Sequence, residues 1–149
     1  ANRLIGLDFD LPEKYWVQNG DIVMAMDRPW ISSGFKIHKI TEYDGASLLV
    51  QRTARIRGIT INQTYLYFAY QHPSFQRHAK TTETTVPHIS PKDIKSYILM
   101  VPPTDLQEKF ASLVHEVNSQ RDLAVDSLKR SESLFNSLLQ KAFKGKLTN

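Results

Sequence analysis

The chain has 149 residues, 41% of them hydrophobic and 23% charged, with no cysteine and a formal net charge of +4. That length suits one domain, or one domain with an appendage, and the composition argues against wholesale disorder. Disulfides and thiolate metal sites are excluded by the missing cysteine, and no apolar run approaches the roughly 18 residues that cross a bilayer.

The opening stretch ANRLIGLDFDLPEKYW has no secretory signal pattern. A cytoplasmic protein without membrane attachment is therefore expected, and the sequon Asn62-Gln63-Thr64 carries no weight. Charge is unevenly spread. Residues 1–27 hold two Lys or Arg against five Asp or Glu, residues 28–95 ten against four, and residues 96–149 seven against six. The basic excess sits mid-chain, as a polyanion-binding face requires and as an ordinary solvated surface also permits.

Taken in order, DIVMAM (21–26) reads as a buried strand introduced by the Asn19-Gly20 turn. In GFKIHKI (34–40), Phe35, Ile37 and Lys39 alternate with Lys36, His38 and Ile40. SLLVQRTARIRG (47–58) begins as a buried strand after Asp44-Gly45 and then turns basic. TYLYFAYQ (64–71) and HPSFQRHA (72–79) read as helices divided at Pro73. Ser90-Pro91-Lys92-Asp93 carries a helix-start signal, with serine as cap, proline first and an acid third. YILMVP (97–102) reads as a last strand, closed by two prolines.

From Thr104 to Phe143 neither glycine nor proline occurs, and Thr104-Asp105-Leu106-Gln107 resembles a capping box. Leu106, Phe110, Leu113, Val117, Ala124, Leu128, Phe135 and Leu138 recur at a spacing of about 3.6, with Arg121 and Ser131 as interruptions. A single helix of about 60 Å is predicted, ending at Gly145. Its stripe is the expected interface with a second long helix; folding back as a hairpin is the alternative. The fold class expected is α/β in the α+β sense: a small mixed module over 1–103, then a long spacer or dimerisation helix over 104–149 packing as an antiparallel coiled coil.

Motifs for catalysis are sparse. The six glycines form neither G-x-G-x-x-G nor a P-loop, and the five histidines include no H-E-x-x-H pair. Asp93-Ile94-Lys95 has the D-x-K spacing of metal-dependent nucleases, with Asp21 and Asp27 as further acids by default, but Asp93 already has a capping role. No catalytic residue, metal site or cofactor is assigned to this chain.

Binding signals are stronger. Arg52, Arg55 and Arg57 lie in QRTARIRG; on a strand Arg55 and Arg57 share a face, and all three reach one ligand if the strand ends near Thr53. Arginine reads guanine and grips phosphate. The loop Asp27–Gly34 offers Arg28, Trp30, Ser32 and Ser33, although a lone tryptophan more often covers a core. KTTETT (80–85) adds a cation and hydroxyls. Nucleic acid is the leading ligand class.

The ordered segments NGDIVMAMDRP, LLVQRTARIRG, YLYFAYQHPSFQ, TTETTVPHISPKDIKSYILMVPP, TDLQEKFASLV and LLQKAFKGKL together resemble the specificity subunit of type I restriction–modification systems. That resemblance implies α/β target recognition domains, each reading half of a split double-stranded DNA sequence, with two antiparallel helices as a spacer between them. It also implies a subunit without chemistry of its own. Methyltransferase (M) subunits would carry S-adenosylmethionine, and restriction (R) subunits would use ATP and Mg²⁺. In this frame the DNA-binding candidates are Arg28, Lys36, Arg52, Arg55, Arg57, Lys80, Thr81, Thr82, Thr84 and His88, with Val86 and Ile89 anchoring their loop inward. The chain departs from the family pattern in having one recognition module and one helix, with little sequence before GDI. It is expected to be a C-terminal piece of such a subunit, paired with another half or with itself. The alternatives are a helical scaffold protein with incidental basic charge and, third, a metal-dependent nuclease.

Overall fold

The computed structural model describes residues 12–32, 34–79 and 87–146. The chain divides into two units, Ala1–Gln107 and Glu108–Asn149.

In the first unit a short 3-10 turn, Glu13–Tyr15, leads into β1 (Trp16–Val17). A type II turn follows, in which the Asp21 N–H donates to the Gln18 carbonyl at 3.0 Å and Gly20 takes a φ of 88°. The chain then enters β2 (Ile22–Ala25), and a hairpin of β3 (Trp30–Ile31) and β4 (Gly34–Phe35) precedes β5 (Ile37–Lys39). The strands β6 (Ser47–Leu48) and β7 (Thr53–Ile56) complete the described set. The central sheet is antiparallel in the order β5-β2-β7; β1 pairs with β6 in a separate ribbon.

Register explains which residues enter the core. Ile22 and Met24 lie opposite Lys39 and Ile37 on one side and Ile56 and Ala54 on the other, so these share one face. Ile22 and Met24 are fully buried. The opposite face carries the row His38–Val23–Arg55. Lys39 sits on the inner face at the sheet edge, where its Nζ donates to the Thr64 hydroxyl at 2.7 Å.

Three short helices cover the inner face: α1 (Gln63–Gln71), α2 (Pro73–His78) and α3 (Pro91–Ser96). Each start has its own cap. Asn62 Oδ1 accepts from the Thr64 and Tyr65 N–H groups, His72 Nδ1 from Ser74, and Ser90 Oγ from Asp93. Pro73 at the head of α2 explains the break between α1 and α2, since it has no N–H with which to continue the helix. The core gathers around Phe75, whose ring lies 4.9 Å from that of Tyr70, 5.1 Å from Tyr97 and 5.9 Å from Phe35. Met24, Ala79, Ile89 and Ile94 complete it. A fully buried phenylalanine contributes about 1.5–3 kcal/mol by apolar transfer alone.

Two expected strands differ. The segment at Tyr97–Pro102 forms no strand; Tyr97 packs inward, whereas Ile98 and Met100 are 91% and 81% exposed. Side chains satisfy its carbonyls where a neighbouring strand would have done so: the Tyr65 hydroxyl donates to Met100 O at 2.6 Å, and Gln107 Nε2 to Pro102 O at 2.8 Å. Pro102 and Pro103 bring no N–H to a ladder. The start of SLLVQRTARIRG is not buried either, since Leu48 and Val50 are exposed on the small ribbon and its margin.

Gln107 does not close a capping box on Thr104. Its carboxamide is buried, accepting from the Asn62 N–H at 2.8 Å while donating to Pro102, and Thr104 is the first helical residue.

The helix α4 (Thr104–Phe143), which makes up most of the second unit, is one unbroken helix of 40 residues, about 60 Å long. Its continuity removes the hairpin alternative. The helix ends where Gly145 takes a φ of 65°, with the Lys146 N–H bonded to Lys141 O and the Gly145 N–H to Ala142 O, a complete Schellman motif. Leu106, Leu113, Val117, Leu128, Phe135 and Leu138 are each 44–64% exposed. Ala124 is exposed and Phe110 half-buried. At the polar interruption, Ser131 Oγ donates back to Ser127 O at 3.0 Å within the helix.

Candidate nucleic-acid interface

The C-terminal end of β2 is where separate parts of the first unit converge. The Met26 N–H donates to Arg52 O at 2.8 Å, and Met26 O accepts from the Ile89 N–H at 2.8 Å. Asp27 bridges His88, and the Arg28 N–H donates to Pro87 O at 2.8 Å. On the other side, the Lys36 N–H donates to Pro29 O at 2.7 Å, and Lys36 O accepts from Ala25. This weave brings Arg28, Lys36, Arg52 and His88 to one end of the sheet.

Asp27 is the hub of their side chains. Its Oδ1 lies 2.7 Å from His88 Nδ1 and its Oδ2 lies 3.5 Å from Arg52 Nε. The Arg52 side chain is 66% exposed, while His88 and Asp27 are near 40%. Arg28 and Lys36 have no side-chain hydrogen bond or ion pair among the described residues. Arg52 thus pairs with the Asp27 carboxylate, while exposed Arg28 and half-buried Lys36 reach the same end of the sheet through their backbone bonds. Both non-glycine residues with positive φ among those described, Arg28 at 44° and Arg52 at 62°, are here. Long side chains rarely adopt that conformation, and such outliers concentrate at functional sites.

The β3–β4 hairpin grows from the same loop. Trp30 is half-buried, its ring stacked on Phe35 at 5.2 Å, so it covers the core as a lone tryptophan commonly does. Between this hairpin and the junction of α1 with α2 lies a cleft of about 380 Å³, lined by Trp30, Ser32, Phe35, Tyr70, Gln71 and Gln76 among others.

The three arginines of QRTARIRG do not converge on one ligand. The strand β7, Thr53–Ile56, lies between Arg52 and Arg57, which fixes Arg52 at one end of the sheet and Arg57 beyond the other. Five residue steps of extended chain separate Arg52 from Arg57 by about 16 Å. Arg55 Nη1 donates to Trp16 O at 2.7 Å. Arg57 holds Asp21 with two bonds, Nε to Oδ1 at 2.6 Å and Nη2 to Oδ2 at 2.8 Å. Both guanidinium groups are thereby engaged within the fold.

Asp21 is itself 1% exposed and also accepts from the Gln18 N–H at 2.8 Å. Burial pushes its carboxyl up, but the Arg57 bond, the Gln18 N–H and the charges of Arg57 and Arg55 outweigh that and hold it below the ordinary value. Asp93 is engaged in its capping box with Ser90, whose side chain and N–H lower its pKa. No three His, Asp or Glu residues group as a metal-ligand set among the described residues. Ile89 is fully buried, anchoring its strand of the weave. Lys80, Thr81, Thr82, Thr84 and Val86 lie outside the described residues. Sequence reasoning named Asp27 only as a default acid for a nuclease and missed its pairing with Arg52 and His88, because an acid between two short strands carries no periodic or motif signal.

The chain is 30% identical over 108 residues to the specificity subunit of the type I restriction enzyme EcoAI from Escherichia coli. The match covers 70% of this chain and 18% of that protein, so the chain spans under a fifth of its relative's length. No family model matches.

Proposed function

We propose that this chain recognises double-stranded DNA as part of a type I restriction specificity subunit, with the Asp27-centred end of the sheet as the contact surface. The observation that carries the reading is the set of cations, exposed Arg28 and Arg52 with half-buried Lys36, brought to one end of the module beside His88. The similarity to the EcoAI subunit supports it independently. Arg28 and Lys36 are suited to phosphates, because a mobile cation releases counterions wherever it lands.

In this reading the module covers one half of a split target and α4 spaces it from a second module. The apolar stripe of α4 receives an antiparallel helix from another half-subunit or from a second copy of this chain. M subunits supply S-adenosylmethionine chemistry and R subunits ATP- and Mg²⁺-dependent cleavage, so this chain has no reaction of its own.

Fluorescence anisotropy with a random-sequence duplex, repeated across salt concentrations, tests the central statement. Binding should weaken steeply with salt, and Arg28→Ala should reduce the slope by about one. A protein that binds no duplex at low salt would return the exposed α4 stripe to a helical scaffold role. Sedimentation tests the assembly, where a monomer at high concentration excludes self-pairing.

A further inference from the structure

Resting on that DNA-binding reading, we infer that Arg52 reads a guanine and that Asp27 is the positioning residue that aims it. The ion pair between them runs through Arg52 Nε. Both terminal nitrogens are left without a partner among the described residues, on a side chain 66% exposed. Those two N–H groups form the parallel fork that matches O6 and N7 of guanine in the major groove.

The backbone points the same way. Arg52 stands at φ 62°, a position where glycine or asparagine is the unstrained choice, and its carbonyl is held by the Met26 N–H. Turn chemistry alone does not call for arginine there. With its carbonyl held by Met26 and its Nε 3.5 Å from Asp27, the side chain has less rotamer freedom to give up on binding than a cation with no partner. A phosphate contact gains little from such restraint, whereas a bidentate base contact depends on it.

Asp27 also disfavours the competing use of this surface. A carboxylate this close to a phosphate is repelled, so Asp27 penalises backbone binding at Arg52 while leaving a base-edge contact open. Its second oxygen lies 2.7 Å from His88 Nδ1, which makes the half-exposed imidazole a neighbouring polar group.

The experiment is selection of bound duplexes from a randomised pool by the whole protein, followed by sequencing, for wild type, Arg52→Lys, Arg52→Gly and Asp27→Asn. Wild type should enrich a motif containing guanine. All three substitutions should reduce preference for one guanine by about ten-fold, with the remaining positions kept, and Asp27→Asn should also raise affinity for random duplex. Arg52→Gly suits φ 62° and should melt at or above the wild-type temperature, so that its loss of selectivity belongs to the side chain. If Arg52→Lys or Arg52→Gly keeps every guanine preference, or weakens all sequences equally, Arg52 is not a base reader. An unaltered motif for Asp27→Asn overturns its positioning role. A wild type that retains no duplex overturns the DNA reading itself, and this inference with it.

Discussion

Replacing Asp21 by asparagine separates a buried charge pair from the rest of the fold while changing almost no volume. The Asp21 side chain is 2% exposed and its partner Arg57 43% exposed. Removing one member of a fully buried pair costs about 3–5 kcal/mol. Here Arg57 can recover water on its open side, and the asparagine oxygen can still accept from Gln18. The expected loss is therefore about 2 kcal/mol, which in urea moves the unfolding midpoint by about 1 M at unchanged m-value. The pair also has a pH signature. The folded pKa of Asp21 lies below the ordinary 3.8. Its stabilisation is therefore complete above about pH 4 and disappears as pH falls through the lower folded value. The gap between wild type and Asp21→Asn should narrow in that acid range and stay constant from pH 5 to 8. A loss under about 0.5 kcal/mol at pH 7 would mean that the pair behaves as a solvated surface contact, and the structural occupation given to Arg57 would fail.

Three other outcomes follow from the packing. Gln107→Ala strands the Asn62 N–H and the Pro102 carbonyl, and should cost about 2–3 kcal/mol by chemical denaturation. A Cβ at Gly58 would meet the Ile61 carbonyl oxygen at 2.9 Å and Leu66 Cδ2 at 3.3 Å. Gly58→Ala should accordingly destabilise by about 1–3 kcal/mol, seen as a lower melting temperature. Asp44 accepts from the Thr41 N–H and hydroxyl and from His38, which lowers its carboxyl to about 2. An NMR titration should find that midpoint, and Thr41→Val should move it back toward 3.8 by removing the hydroxyl bond.

The helices were legible because their signals are local. Pro73, Ser90, Asp93 and Gly145 each act within a few residues of where they stand. Strand β2 was legible too, from its apolar run behind Asn19-Gly20. What could not be read depends on partners far along the chain. Tyr97–Pro102 has a strand's composition, but its Met100 carbonyl is met by Tyr65, 35 residues away, and Gln107 is turned to Pro102 and Asn62 rather than to a cap. Period-two alternation tells which face Arg55 and Arg57 occupy, not which end of the sheet they reach or which acceptor waits there. The Asp27 hub is a tertiary fact of the same kind, assembled from three remote segments.

That assembly has a thermodynamic consequence. Positions 27, 52 and 88 are neighbours only when the sheet is formed, so the hub does not exist in the unfolded chain. A ligand selective for it adds RT ln(1 + [L]/Kd) to the folding free energy, about 2.7 kcal/mol at a hundred-fold excess over Kd. Occupancy at this end of the sheet and global protection of the first unit against unfolding are then two readings of one equilibrium. Amide exchange at Met24, at the centre of the core, should report a ligand bound at Arg52.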